Sequence, residues 1–167
     1  MNKFFFTLTF AFVIFGNAQS TNCSCCTENH EAFDFWVGEW KVYTTKDTIA
    51  GYNSIVKIQD NCVINENWRS AKSGFTGTSN SFYNSKAKQW EQIWTDNKGG
   101  VLHLKGNRDG NRMILYSDEE LSNEGQLVRH RVTWTKNDDG TVRQYWEVIT
   151  KGKDIKVAFD GVYKKTE

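Results

Sequence analysis

Ten short runs in which apolar and polar residues alternate, at 39–45, 52–58, 62–69, 76–84, 89–96, 101–105, 112–117, 127–136, 141–150 and 155–164, limit what this chain can fold into. Period-two alternation sends successive side chains to opposite faces of an extended segment, so each run predicts a strand with one apolar face. The runs are bounded by stretches rich in Gly, Asn, Asp or Lys. Asp139-Gly140 is a hairpin signal, and Asn97-Lys98-Gly99-Gly100 and Asn107-Arg108-Asp109-Gly110 read as further turns. Helical character is confined to one turn at 27–33, where Thr27 is the cap candidate and His30 or Glu31 follows. Sequential strands joined by tight turns predict an all-β fold, an up-and-down antiparallel barrel of about ten strands, because closure leaves no strand edge unpaired.

The first segment reads as an address. Lys3 supplies a positive start, 4–15 is apolar apart from Thr7 and Thr9, and Gly16-Asn17-Ala18 offers small residues to a signal peptidase. A signal peptide over 1–18 is expected, with Gln19 as the new N-terminus and the mature protein exported to the periplasm or beyond. Its apolar run falls short of the roughly 20 residues a bilayer span needs. A lipoprotein is not favoured, since Ser20-Thr21-Asn22 before Cys23 lacks the Leu and the small residue that lipidation requires. A Cys-rich arm over 19–32 then leads into one barrel domain over 33–167 with no linker inside it. With Lys+Arg at 21 and Asp+Glu at 20, no net field steers the chain to nucleic acid or an anionic membrane, and neither is expected as a partner.

Cys23, Cys25 and Cys26 crowd the arm, and Cys62 stands alone in a predicted strand. In an exported chain these are expected to be oxidised, with Cys25 or Cys26 bridged to Cys62 and the arm tied to the barrel. A Cys-x-Cys-Cys cluster with His30 holding zinc or copper(I) is the alternative, on a spacing that matches no standard zinc pattern.

Five segments in order carry a resemblance: 33–42 (Phe33-Asp34-Phe35-Trp36-Val37-Gly38-Glu39-Trp40-Lys41-Val42), 61–68, 90–96, 142–147 and 159–163. Together they resemble a family of exported bacterial lipocalin-like proteins with no assigned activity. The resemblance implies a calycin-type barrel around a small-molecule cavity. It also implies that Trp40, the Trp of Gly-x-Trp, plugs the narrow end under a basic side chain from a late strand, with Arg131 or Arg143 as candidates. Trp36, just ahead of that strand, is expected to seal the base. Trp40, Cys26 and Cys62 are thus the expected structural residues.

Alternation sorts the remaining aromatics. Ile64, Glu66 and Trp68 share a face, as do Trp90, Gln92, Trp94 and Asp96; Val128, His130, Val132 and Trp134; and Val142, Gln144, Trp146 and Val148. If these faces point inward, a small, ring-containing or apolar ligand would stack on Trp68, Trp94 and Trp146, with Glu66, Gln92, His130 and Gln144 as the polar groups. The opposing expectation is a barrel filled by its own side chains. Nucleophile elbow, His-Glu-x-x-His pair and phosphate loop are all absent, so an isomerase or cyclase would rest on Glu66 with His130 as an acid–base couple. Similarity to nitrobindin-like barrels raises haem on one axial histidine, for which His130 is better placed than His30 or His103; otherwise no cofactor is expected.

Overall fold

The structure is a computed structural model that describes residues 23–122 and 124–166. Its strands are β1 (Gly38–Thr44), β2 (Ile49–Ile58), β3 (Val63–Ser70), β4 (Thr76–Asn84), β5 (Gln89–Asp96), β6 (Val101–Asp109), β7 (Arg112–Tyr116), β8 (Glu120–Leu121), β9 (Leu127–Lys136), β10 (Val142–Thr150) and β11 (Lys156–Lys165). Neighbours pair antiparallel in the ring β1-β2-β3-β4-β5-β6-β7-β9-β10-β11, and β11 returns to β1, so ten strands close an up-and-down barrel. The alternation therefore predicts the architecture correctly. The extra strand, β8, was not foreseen. Because β7 pairs only with 131–135 of β9, the longer strand would have a bare edge at Leu127 and Val128, and β8 pairs there.

Two local features differ from expectation. The turn expected at 107–110 begins later, since Asn107, Arg108 and Asp109 pair with Ile114, Met113 and Arg112 and the hairpin closes at Gly110-Asn111. Gly110 has φ 60, the left-handed value that suits glycine at the first central position of a two-residue loop. Cys62 lies in a turn rather than in a strand. Gln59, Asp60 and Asn61 have φ 53, 51 and 70, and the Cys62 N–H donates to the Gln59 carbonyl (3.0 Å), so β3 begins only at Val63.

The disulfides are Cys25–Cys62 and Cys23–Cys26. Cys26 is therefore not the partner of Cys62: Cys25 is buried and turned toward the barrel, whereas Cys26 is exposed and closes a small ring with Cys23. All four sulfurs are used, which leaves no thiolate for the metal alternative. Two disulfides fit an oxidising, extracytoplasmic compartment. Among the described residues no helix is long and apolar enough to cross a membrane. The expected signal peptide over 1–18 lies outside the described residues.

One end of the barrel is shut by the chain that precedes β1. The helix α1 (Glu28–Glu31) is capped by Thr27 as expected, and a 3-10 turn follows at Asp34–Trp36. Phe33 stacks on Trp36 (5.0 Å between ring centres) and meets Trp134 (5.1 Å) and Trp90 (5.6 Å) edge to face, all of them buried. The segment is fastened by Lys57 on Asp34 (2.8 Å), by Trp90 Nε1 donating to the Asn29 carbonyl (3.0 Å) and by the Cys25–Cys62 bridge. Trp40 is 1% exposed and its Nε1 donates to the Trp36 carbonyl (2.8 Å). The cation over its ring is Lys165 (5.4 Å), its cross-strand partner on β11, and not Arg131 or Arg143. Those arginines alternate with inward Val132 and Val142, so they project outward and pair with Glu147 and Asp160.

Candidate functional site

Strand alternation builds the interior in three tiers. The lowest is the aromatic plug. Above it, the next inward positions on β2, β3, β4, β5, β10 and β11 carry Asn53, Glu66, Ser79 with Ser81, Gln92, Gln144 and Tyr163, a polar belt. Two residues further along β3, β5 and β10 stand Trp68, Trp94 and Trp146, all partly exposed, and Phe159 of β11 joins them. Glu66, Gln92 and Gln144 of the belt, with the four collar rings, line a cavity of about 420 Å3. The barrel is thus filled at one end and hollow at the other.

The cavity stays open because glycines make room for the collar. A Cβ at Gly77 would lie 2.1 Å from Trp94 Cζ2, one at Gly51 2.6 Å from Trp68 Cη2, and one at Gly161 2.6 Å from Phe159 Cζ. These rings therefore press against bare backbone on β4, β2 and β11 rather than filling the lumen. Sequence reasoning passed over the three glycines, although glycine inside a strand signals such a close approach.

The belt forms two hydrogen-bonded groups, a larger one centred on Glu66 and a Gln92–Ser81 pair. Asn53 Nδ2 donates to Glu66 Oε1 (2.7 Å) and to the Tyr163 hydroxyl (3.3 Å), which in turn donates to Gln144 Oε1. Ser79 Oγ donates to Glu66 Oε2 (2.6 Å), and Gln92 Nε2 donates to Ser81 Oγ (3.0 Å). Burial pushes the Glu66 carboxyl up to about 7, against the opposing pull of the Ser79 and Asn53 hydrogen bonds. Burial, and next the Glu66 charge, holds the Tyr163 phenol well above its ordinary value. Asn53, Ser79, Ser81 and Tyr163 escaped the sequence reading, because small or amide side chains on an inward face carry no distinctive pattern.

Six of the residues expected to bind ligand, Glu66, Trp68, Gln92, Trp94, Gln144 and Trp146, line this cavity together. His130 is not on its wall. Its Nδ1 accepts from Trp146 Nε1 (2.9 Å) and its Nε2 is 3.4 Å from Glu120 Oε1, so it anchors the back of a collar ring. Glu66 on β3 and His130 on β9 stand five strands apart in either direction around the ring, with separate partners, so they form no acid–base couple. His103 pairs with Glu91, and His30 packs edge to face on Tyr83. None of the three histidines lines the cavity, and the interior therefore does not fit haem held by an axial histidine. The sequence reading missed Lys72 and Phe75, which reach the rim from the loop after β3.

Compared with known proteins, this chain matches no protein-family model and no curated protein.

Proposed function

We propose that this protein is an exported, lipocalin-like carrier or sensor barrel that binds a small molecule with an apolar or ring-containing body. The observation that carries the reading is the cavity of about 420 Å3, in which an aromatic collar is held against glycine backbone above a buried polar belt. A ligand-sized, mostly apolar hollow with a few placed polar groups is the composition of a binding site. Rings drawn back onto the wall supply stacking faces without occupying the space a ligand needs. In this reading Trp68, Trp94 and Trp146 stack on the ligand, and Glu66, Gln92 and Gln144 orient it. The leader expected at 1–18 and the two disulfides support export.

The test is titration of the disulfide-intact protein with an environment-sensitive apolar dye. Stoichiometric binding that weakens roughly tenfold or more in Trp94→Ala and Trp146→Ala, with folding retained, is the expected result. Failure to bind, with both variants losing several kcal/mol of stability, would make the collar simple packing. Crystals of protein purified from its native host would show what the cavity carries.

A further inference from the structure

Glu66 is 4% exposed. The groups that face it are Asn53 from β2, Ser79 from β4 and, through Asn53, the Tyr163 phenol from β11, which burial keeps protonated. Among the described residues no Lys, Arg or His is ion-paired with it. On the cavity wall the other ionisable side chain is Lys72, which is exposed at the rim. A buried carboxyl without a cation is unusual, since buried charges are normally paired. Immediately above it, Trp68, Trp94, Trp146 and Phe159 form a ring of π-systems, whose faces attract cations.

Resting on the binding reading above, we propose that the cavity selects a protonated amine on an apolar body, with the ammonium group on Glu66 and the body within the aromatic collar. An ammonium group would bring the missing counter-charge and give Glu66 further donors, while the rings replace part of its lost hydration. A ligand carboxylate in the same place would meet Glu66 as a like charge. A neutral ligand would bring no counter-charge and would deepen the burial of Glu66.

The experiment compares three probes of one body and different charge: 2-phenylethylamine, 2-phenylethanol and 3-phenylpropanoate. None absorbs where tryptophan is selectively excited, so quenching of collar fluorescence in the disulfide-intact protein reports each. At pH 8 the amine is expected to bind at least tenfold more tightly than the alcohol and the carboxylate. That advantage should shrink as pH falls from 8 toward 5 and Glu66 takes up a proton. Near pH 7 amine binding should release protons, seen calorimetrically as a heat that varies with buffer ionisation enthalpy. Glu66→Gln should bring the amine down to the affinity of the alcohol. The pH series on the unaltered protein tests the same point should the variant fold poorly. If the apolar dye binds but the alcohol or carboxylate matches the amine, or Glu66→Gln keeps the preference, amine selection is wrong and the cavity reading stands. If neither dye nor any probe binds, both fall.

Discussion

Gly77→Ala is the smallest change that should close the cavity. The new methyl carbon would stand 2.1 Å from Trp94 Cζ2, 2.4 Å from Cη2 and 2.8 Å from Cε2, where carbon atoms in contact keep about 3.5–4.0 Å apart. An overlap of about 1.5 Å cannot be absorbed by bond angles, so something must move. The backbone is held, because β4 and β5 are paired from Gly77↔Asp96 through Asn84↔Gln89. Trp94 alone has room, and the room is the cavity. Forcing a large ring off its seat should cost about 1–3 kcal/mol of stability, as overpacking does, less the few tenths gained from a stiffer unfolded chain. Dye affinity should fall at least tenfold, because the displaced indole occupies the volume the dye needs. Urea unfolding and dye titration measure the two effects. Gly74→Ala is the control, since nothing lies within 4 Å of its added Cβ. In a Trp94→Ala background the clash partner is gone, so Gly77→Ala should there cost little, giving a coupling of 1 kcal/mol or more in a double-mutant cycle, on the order expected for touching residues. Stability and dye affinity both unchanged in Gly77→Ala would show that the glycines do not set the position of the collar.

Other substitutions probe the belt, the plug and the arm. The Glu66 carboxyl rises from an ordinary 4.5 to about 7 on folding, so the folded state holds the extra proton between those values and stability should fall as pH rises through them, then level off. Glu66→Gln should remove that slope and stabilise the protein above pH 7 by up to about 3 kcal/mol, read from denaturation at pH 5 and pH 8; a variant no more stable at pH 8 would contradict the burial argument. Trp40→Ala should lose about 3–5 kcal/mol, since a fully buried ring and its hydrogen bond to Trp36 both go, and an unchanged melting temperature would exclude the plug role. Cys25→Ser should cost about 4 kcal/mol by the entropy of a 37-residue loop, and Cys23→Ser roughly 2 kcal/mol or less for a separation of 3. Non-reducing peptide mapping that linked Cys26 to Cys62 would overturn this pairing.

What the linear chain determined is the alternation, and with it the strands and the sorting of faces. Trp90, Gln92 and Trp94 share an inward face, as do Glu66 with Trp68 and Gln144 with Trp146, because side-chain direction along a strand is a local property of period two. The same rule, followed one residue further, already excluded Arg131 and Arg143 from the plug, since each adjoins an inward valine. Tertiary structure decided what depends on distance between segments. Asn53 and Tyr163 are 110 residues apart, and only closure of β11 onto β1 brings the phenol into the network around Glu66. Alternation placed His130 inward, but its height along β9 put it behind Trp146 and out of the cavity. The choice of Cys25 over Cys26 turned on which sulfur the folded arm aims at the left-handed turn before β3. Whether the barrel is hollow was a matter of volume, settled where Gly51, Gly77 and Gly161 meet the rings of other residues. Pattern along a chain reports direction, whereas a cavity depends on which side chains the closed sheet sets against one another.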